Sequence, residues 1–349
     1  MSIWRFADRF PSPPLAHRIT LGEGQTPLLA SRNIGPANGM RLFFKLETGN
    51  PTGSYKDRFA AAAVADMLAR GIRRCVATSS GNTGAALAAY CAAAGIACEI
   101  AVVETAPAEK LQQMLAYGAA LVRIHGFGTD ADITRRAIDA VRRRASLPGN
   151  ALQISAFCMS PTGMAGVQTI GYELLDQLNE ERAHVFIPAG GGGLTLAVAR
   201  GLKGSRHSVH CVQPTGNATI AAPLRAGQDR AVAVECSTRI SGLQVASVLD
   251  GDAVIQACRE SGGTGHLVDD DDTWRTQAQL AREEGIFTEP AGAIALSAAL
   301  SAARRGEVDR LEPVVCVVTG SGFKDKPSVE RMTATSTCPL MTLDEYELR

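Results

Sequence analysis

Short apolar runs alternate with longer helical runs along almost the whole chain, and this alternation limits the possible folds more than any other feature of the sequence. Several apolar runs are continuous stretches of Val, Ile and Leu, which is typical of strands covered on both faces in parallel sheets. The strand candidates are residues 41–46, 75–79, 98–103, 121–124, 152–155, 184–188, 209–213 and 313–319. The sequence therefore predicts an open α/β fold with helices on both faces of each sheet.

The alternation also suggests how the chain divides into domains. The helical runs cover residues 59–70, 85–94, 107–118, 130–144, 166–179, 194–202, 250–260, 271–284 and 290–304. The clearest break between blocks is the Pro-Gly-Asn sequence at 148–150. We therefore expect a small α/β domain at 50–150 and a large α/β domain at 151–349, to which an N-terminal segment, 1–49, also belongs. A ligand is expected at the carboxyl ends of the strands, in the cleft between the domains.

One lysine stands at a strand-to-helix junction. In residues 50–58 (Asn-Pro-Thr-Gly-Ser-Tyr-Lys-Asp-Arg), the proline and glycine end a strand-like run, and Lys56 leads into an Ala-rich helical run. A lysine held in apolar surroundings can lose its proton and attack a carbonyl to form an imine. A solvated lysine at a helix start is the commoner reading of an isolated lysine. Lys56 becomes a catalytic candidate because three loops rich in glycine and hydroxyl groups accompany it.

The first of these loops is residues 79–84 (Ser-Ser-Gly-Asn-Thr-Gly), which follows a strand candidate and opens a helix. The start of a helix offers free backbone N–H groups and the positive end of its dipole, which suit a carboxylate. The hydroxyls of Ser79, Ser80 and Thr83 add donors. Simple capping of the helix is the alternative reading.

The second loop has four consecutive glycines, Gly190, Gly191, Gly192 and Gly193, between a strand candidate and a helical run that begins at Leu194. Without side chains, several N–H groups can converge on one anion at the helix start. The loop matches neither the dinucleotide fingerprint nor the Walker sequence, so it predicts a site for one phosphate monoester. A flexible linker is the alternative, although such linkers rarely join a buried strand to a helix.

The third loop, residues 319–322 (Thr-Gly-Ser-Gly), follows the last strand candidate. A hydroxyl at the carboxyl end of a strand, here that of Thr319, can face a nitrogen of a heterocycle, and an ordinary Ser/Gly turn is the alternative. A lysine for an imine, a glycine cradle for one phosphate and a hydroxyl for a ring nitrogen together describe pyridoxal phosphate. Only the combination of the three is specific.

Composition excludes several other classes of partner. Lys plus Arg equals Asp plus Glu at 35 each, and this balance argues against nucleic acid or an anionic membrane, both of which attract excess positive charge. No apolar run reaches the roughly 18 residues of a membrane span, and none resembles a signal peptide. The nine cysteines include no Cys-x-x-Cys pair, and the histidines lack metal-ligand spacing, so we expect no metal site and a reducing cytoplasm. His184 and His210 border strand candidates and are expected to be structural.

The chain resembles the fold-type II pyridoxal-phosphate enzymes, whose fold is like that of the tryptophan synthase β subunit, and within them the threonine synthase-like group. Residues 21–29 (Leu-Gly-Glu-Gly-Gln-Thr-Pro-Leu-Leu) are similar to the N-terminal motif of that group, and residues 50–58 to its lysine motif. Residues 319–325 are similar to its C-terminal signature, with Ser321 where His is common. The resemblance covers nearly the whole chain and implies two open parallel-sheet α/β domains with the cofactor in the cleft between them.

The resemblance also implies roles for individual residues. Lys56 is the catalytic residue, because it matches the lysine that joins the cofactor through an imine. Asn82 matches the residue bonded to the ring hydroxyl, and Thr319 the residue facing the pyridine nitrogen. The implied ligands of pyridoxal 5'-phosphate are Lys56, Asn82, Gly190, Gly191, Gly192, Gly193, Leu194 and Thr319. The implied contacts to the carboxylate of an amino-acid substrate are Ser79, Ser80, Asn82 and Thr83. Glu289 has a counterpart near the cofactor ring in relatives, without an assigned role here.

One segment departs from the family pattern. Threonine synthases bind the phosphate of O-phosphohomoserine partly through a polar pair and an arginine. In this chain Phe157 and Cys158 stand in place of the pair, and Gly163 in place of the arginine. Removing a charged hydrogen-bond partner from a buried anion costs about 2–5 kcal/mol. The resemblance therefore implies a threonine synthase-like catalytic core with a degenerate phosphohomoserine site.

Three activities remain open at this point. The first is a lyase in which Lys56 removes the α-proton of a small amino acid before β or γ elimination, as in threonine synthase or a serine/threonine ammonia-lyase. The second is a β-replacement synthase of the cysteine synthase kind, against which Thr319 counts, because those relatives usually have Ser there. The third is a non-catalytic protein that binds the cofactor or an amino acid. Relatives in this family are commonly homodimers.

Overall fold

The computed structural model describes residues 2–179, 182–245 and 247–348. Its strands are β1 (Leu28–Ala30), β2 (Leu42–Leu46), β3 (Arg74–Thr78), β4 (Ala97–Val102), β5 (Ala120–Arg123), β6 (Asn150–Gln153), β7 (His184–Pro188), β8 (Ser208–Pro214), β9 (Gly265–Val268) and β10 (Val314–Val318). Its helices are α1 (Ile34–Ala37), α2 (Lys56–Ala69), α3 (Asn82–Ala94), α4 (Ala108–Ala116), α5 (Ala131–Ala145), α6 (Pro161–Val167), α7 (Thr169–Gln177), α8 (Gly193–Gly201), α9 (Ala221–Arg225), α10 (Gly251–Glu260), α11 (Asp270–Glu284), α12 (Pro290–Arg304), α13 (Lys326–Thr333) and α14 (Leu343–Glu347). Within those residues, none of the helices is both long and apolar enough to span a bilayer.

The strands form two sheets. The larger one has the order β1-β2-β10-β7-β8-β9, and the smaller one the order β5-β4-β3-β6. Every pair is parallel except β1 with β2 at one edge of the larger sheet. Parallel strands need crossover connections, and the helical runs between the strands provide them. The predicted fold, two open parallel-sheet α/β units, is therefore confirmed.

The predicted strands are all present, with ends shifted by at most two residues, but two others were not predicted. β1 has only three residues, which is too short for a pattern. β9 begins with Gly265, a weak strand former, at a point where a Cβ would lie 2.0 Å from the carbonyl oxygen of Ala221. Glycine is needed there by this close approach, and it conceals the strand in the sequence.

One predicted helix was wrong at its start. We expected a single helix over 166–179, whereas α6 begins at Pro161, in a first helical turn where proline is favoured, and α7 continues from Thr169. The junction, Gln168, lies against α8, because a Cβ on Gly201 would lie only 2.3 Å from the Gln168 carbonyl oxygen. The two helices are therefore separated where a third helix packs on the backbone.

Small residues bring α6 against the start of α2. The α2 residues from Phe59 to Ala65 are all buried, and most of them are alanine. A Cβ on Gly166 would lie 2.5 Å from the carbonyl oxygen of Arg58, and one on Gly163 would lie 2.6 Å from the Phe59 ring. This contact at backbone distance fixes the first turn of α2 and therefore the position of Lys56. It also leaves no room for a side chain at position 163.

The division into domains stays a prediction. The strands of the smaller sheet run from β3 to β6, and those of the larger sheet come from the chain before and after them. β6, residues Asn150–Gln153, pairs with β3 in the smaller sheet and lies across the boundary expected at 150/151.

Three histidines on neighbouring strands of the larger sheet form a buried row. His184 Nδ1 lies 3.0 Å from His210 Nε2, and His210 Nδ1 lies 3.0 Å from His266 Nε2. The row ends at two carboxylates, with His184 Nε2 3.0 Å from Glu312 and His266 Nδ1 3.7 Å from Glu307. Burial lowers the pKa of all three histidines, that of His266 to about 4. Neutral imidazoles therefore connect these strands.

Candidate active site

Lys56 is the first residue of α2, and its side chain is half-buried. Its amine donates a hydrogen bond to Ser155 Oγ at 2.6 Å and lies 4.5 Å from the centre of the Tyr55 ring. Ser155 Oγ is in turn 3.2 Å from Thr83 Oγ1, at the start of α3. In the described part of the chain no carboxylate lies within ion-pair distance of this amine, so a hydroxyl holds it in place.

Backbone hydrogen bonds hold the loop before Lys56 to the loop after β10. The Tyr55 N–H donates to the carbonyl oxygen of Thr319 at 3.0 Å, and the Ser321 N–H donates to that of Gly53 at 2.8 Å. Gly53 has a φ of +89°, a conformation that favours glycine. These bonds fix Lys56 relative to Thr319, although the two residues are far apart in the chain.

A buried ion network lies beneath the lysine loop. It consists of Lys45, Glu47, Arg58 and Glu173, whose side chains are at most 2% exposed. Arg58 donates to Glu47 at 2.7 Å and to Glu173 at 2.6 Å, and Lys45 donates to Glu173 at 2.6 Å. Burial opposes ionisation of Glu173, yet the charges of Arg58 and Lys45 hold its pKa at about 2.

The same network explains the N-terminal motif at residues 21–29. Thr26 Oγ1 donates to Glu47 at 2.6 Å, and the Gly24 N–H donates to Asn50 Oδ1 at 3.0 Å. Both acceptors belong to the segment that leads into Lys56. The motif therefore acts by packing and hydrogen bonding beneath the lysine loop.

Asn82, the first residue of α3, faces Glu289 at the start of α12. Its amide nitrogen donates to both carboxylate oxygens, at 2.9 and 3.1 Å. A Cβ on Gly320 would lie 2.3 Å from Glu289 Oε1, so only glycine fits beside this pair. Burial raises the pKa of Glu289 to about 7, although the bond from Asn82 and the charges of Lys324 and Lys110 oppose the rise.

The four glycines connect β7 to α8 in a closely packed loop. Gly192 has a φ of +94°, and a Cβ on it would lie 2.8 Å from Val254 Cγ2. A Cβ on Gly191 would lie 2.9 Å from Leu249 Cδ1, and one on Gly193 would lie 3.1 Å from the carbonyl oxygen of Ser155. The loop is a built cradle and not a linker, and Ser155 stands between it and the amine of Lys56. Leu194, the next residue, is buried in α8.

Thr319 follows β10, and its side chain is only 4% exposed. Its Oγ1 has no hydrogen-bond partner among the described residues. A buried hydroxyl without a partner is unfavourable by about 1–3 kcal/mol. An orphaned hydroxyl beside the Lys56 loop fits a polar atom of a bound group, such as the ring nitrogen of the cofactor that the sequence implies.

Some polar groups of the loop at residues 79–84 form hydrogen bonds with one another. Ser79 Oγ accepts from the N–H groups of Gly81 and Gly84, at 3.3 and 3.1 Å, and so caps the start of α3. Ser80 and Thr83 are half-buried beside it. The contacts of Ser79 are those of the capping alternative, and binding of a substrate carboxylate by this loop stays a prediction.

Sequence reasoning missed Ser155, which links Lys56, Thr83 and the glycine loop. Its position directly after a strand was the available signal, because carboxyl ends of parallel strands meet in a cleft. It also missed Lys110 and Lys324. The amine of Lys324 contacts Gln113, and the amine of Lys110 lies 3.3 Å from Asp325. Burial lowers the pKa of Lys324.

The segment after Ser155 is held by one carboxylate. Asp250 accepts from the N–H of Phe157 at 2.7 Å and from that of Cys158 at 3.1 Å. The guanidinium of Arg200 lies 4.1 Å from the centre of the Phe157 ring. The backbone donors of this segment are therefore already occupied by an anion of the protein itself.

Comparison with known proteins gives a consistent result. Residues 19–320 match the family model described as "Pyridoxal-phosphate dependent enzyme". A threonine synthase of Halalkalibacterium halodurans is 31% identical over 331 residues, which cover 93% of this chain and 91% of that protein. A threonine synthase of Mycobacterium tuberculosis is 32% identical over 343 residues, covering 96% and 92%. The processed form of threonine deaminase isoform 2 from Solanum lycopersicum superposes with a TM-score of 0.75 at 21% identity, covering 96% of this chain and 94% of that one.

Proposed function

Because the chain belongs to the family of pyridoxal-phosphate dependent enzymes, we propose that it eliminates water from serine or threonine and releases a 2-oxoacid and ammonia. At the coarser level it is a pyridoxal-phosphate dependent lyase of the threonine synthase-like kind. The proposal adds the substrate, an amino acid with an uncharged hydroxyl side chain.

The observation that carries the choice of substrate is that the Asp250 carboxylate accepts the backbone hydrogen bonds of the segment after Ser155. The N–H groups of Phe157 and Cys158 both donate to this carboxylate, which is 6% exposed. A phosphate group near Phe157 and Cys158 would find these two N–H donors occupied and would be repelled by the negative charge of Asp250. Gly163, the third departure from the threonine synthase pattern, is packed against Phe59 without room for a side chain. A neutral leaving group is compatible with this arrangement.

The residues present fit the cofactor, as the glycine cradle and the orphaned Thr319 hydroxyl indicate. We propose that Lys56 attaches it, that Asn82 and Thr319 hold its ring, and that its phosphate lies against residues 190–194. Bound pyridoxal phosphate supplies an electron-withdrawing ring that stabilises negative charge on the α-carbon of an amino acid. Ser79, Ser80 and Thr83 would hold the substrate carboxylate at the start of α3.

The protein's own share of the chemistry centres on one amine. Lys56 Nζ would take the α-proton of the bound amino acid and return a proton later in the cycle. Its 2.6 Å hydrogen bond to Ser155 Oγ holds it at the carboxyl end of β6 between these transfers. The contact from Asn82 to Glu289 holds the start of α3 in register with α12, which is an effect on orientation.

A second candidate is threonine synthase activity on O-phosphohomoserine. The two relatives from Halalkalibacterium halodurans and Mycobacterium tuberculosis are named threonine synthase. In addition, Lys110 and Lys324 lie near enough to Glu289 for their charges to lower its pKa against the effect of burial. These two lysines could attract an anionic substrate. β-Replacement of the cysteine synthase kind is the remaining alternative, and Thr319 counts against it.

One panel of substrates distinguishes these activities. The cofactor-loaded protein is incubated with serine, threonine, O-phosphohomoserine and O-acetylserine, and 2-oxoacid, ammonia and phosphate are measured. We expect 2-oxoacid and ammonia from serine or threonine without an added nucleophile. Phosphate and threonine from O-phosphohomoserine would instead establish the second candidate. A requirement for an added thiol or sulfide would establish β-replacement, and no turnover despite bound cofactor would indicate a binding protein.

The proposal also includes a homodimer in the cytoplasm, without nucleic-acid or membrane partners. The balanced charge supports the lack of anionic partners, and the many cysteines in buried strands suit a reducing compartment. Light scattering on the purified protein tests the dimer, and fractionation of cells tests the location.

A further inference from the structure

Three cysteines of the smaller sheet and its helix form a cluster outside the active site. Cys75 lies on β3 and Cys98 directly beside it on β4, in register, while Cys91 lies on α3. Their sulfur atoms are all within 4.8 Å of one another. They are separated by 16 and 7 positions in the sequence, so no short motif predicts the cluster.

We propose that Cys75, Cys91 and Cys98 bind one soft, thiophilic metal ion of the Cu(I) type through their three sulfur atoms. With metal–sulfur bonds of about 2.3 Å, three sulfurs in one plane around an ion are about 4 Å apart. The observed cluster needs only small side-chain shifts to reach that spacing. Soft thiolate ligands select Cu(I) over the harder divalent ions.

The number of donors separates Cu(I) from zinc. Structural zinc takes four ligands in a tetrahedron. Among the described residues the cluster contains no further His, Cys, Asp or Glu, and the three cysteines belong to the main apolar core. A three-coordinate ion fits this set, whereas zinc would need a fourth ligand from water in an apolar core.

The cluster is least buried at Cys98. Cys75 and Cys91 are fully buried, while Cys98 is 9% exposed, next to the exposed Ala97 at the start of β4. The active-site loop begins at Ser79, about 13 Å from Cys75 at the usual rise of a strand. An ion bound here would tie β3, β4 and α3 together at the end opposite to the loop.

Titration with buffered Cu(I) tests the proposal. The reduced, cofactor-loaded protein is titrated without oxygen against a chelator that competes for Cu(I). We expect one Cu(I) per chain, release of protons and a rise in Tm. X-ray absorption should give three sulfur neighbours and no nitrogen or oxygen neighbour. Fewer sulfurs, or oxygen or nitrogen neighbours, would overturn the proposal without any variant.

Variants locate the ion within the chain. Cys75→Ala and Cys98→Ala should each weaken binding by at least about tenfold, since even outer-shell changes do so at metal sites. Cys316→Ala is the matched control, because Cys316 is also a fully buried strand cysteine but lies in the larger sheet. Unchanged Cu(I) binding by the double variant of Cys75 and Cys98 would overturn the proposal. Tighter binding of Zn(II) than of Cu(I) by the unaltered chain would overturn the three-coordinate assignment.

Discussion

Lys56 and Arg58 lie two positions apart in the first turn of α2, yet they belong to opposite regions of the molecule. Arg58 is fully buried in the ion network, where it donates to Glu47, Glu173 and Thr169. Lys56 is half-buried at the cleft, where Ser155 accepts its one side-chain hydrogen bond among the described contacts. One helix turn thus carries an arginine with every donor engaged and a lysine whose amine makes one described hydrogen bond.

This difference distinguishes polar groups that stabilise the fold from polar groups that are available to a ligand. In the ion network the polar atoms satisfy one another, so the region needs no ligand to be stable. At the cleft the hydroxyl of Thr319 has no partner among the described residues, and the pKa of Glu289 is raised by burial to about 7. A bound cofactor would supply the hydrogen-bond partner that this buried hydroxyl lacks.

The largest expected effect is that of Lys56→Ala. We expect turnover to fall at least about a thousandfold, because the variant loses the only proposed acid and base. The free energy of unfolding should change by less than about 1 kcal/mol, since the lysine makes one hydrogen bond. Steady-state kinetics and urea unfolding measure the two effects, and borohydride treatment should no longer link the cofactor to peptide 50–58. A variant that retains turnover would remove Lys56 from the mechanism.

Arg58→Met should show the reverse pattern. Removing one partner of a buried ion network costs about 3–5 kcal/mol, because the remaining charges stay buried without compensation. Urea unfolding of the cofactor-free protein measures this loss. Arg70→Met, at the residue that follows the same helix, is the control, since Arg70 pairs with Asp66 at the surface and should change stability by less than about 1 kcal/mol. Equal effects of the two changes would contradict the role given to burial.

The histidine row provides a third buried polar region, which is neutral. Burial lowers the pKa of His266 to about 4, so the unfolded chain takes up its proton first as the pH falls below 6.5. The contribution of His266 to the free energy of unfolding should therefore be fully present above that pH. It should fall on acidification, by about 2 kcal/mol at pH 5 for His266 alone. Urea unfolding at several pH values measures this slope.

One variant tests whether the row causes the slope. His266→Gln should remove its share of the loss between pH 7.5 and 5. A slope that persists unchanged in His266→Gln would show that other groups govern stability in this range.

Thr319→Val should have the smallest effect. The free energy of unfolding of the cofactor-free protein should not fall, and should rise by about 1 kcal/mol, because a buried hydroxyl without a partner is removed and no described partner loses a bond. The affinity for the cofactor should fall about fivefold to tenfold, which corresponds to one hydrogen bond. Thr288→Val is the control: its hydroxyl donates to the carbonyl oxygen of Gly320 at 2.7 Å, so its loss should destabilise the cofactor-free protein. A destabilised Thr319→Val protein would contradict the assignment of an unpartnered hydroxyl.

Local patterns in the sequence predicted most of the fold and pointed to a candidate site. Continuous apolar runs marked the parallel strands, and Lys56 and the four glycines were predicted as site residues because each stands at a junction with its own signal. β9 was missed because Gly265 is required by a contact with Ala221, which is 44 positions away in the chain. The roles of Ser155 and of the three clustered cysteines likewise depend on neighbours that only the folded chain brings together.

The row formed by His184, His210 and His266 has a direction. A neutral imidazole has one N–H group to donate and one nitrogen to accept, so the tautomer of each ring fixes that of the next. If His184 directs an Nε2–H group towards Glu312, all three rings must carry their proton on Nε2. Nδ1 of His266, at the other end of the row, then turns its lone pair towards Glu307. Replacing Glu312 with a group that donates would reverse every ring together. A change at one edge of these strands would thus be transmitted across three of them by relocating protons, without moving the backbone.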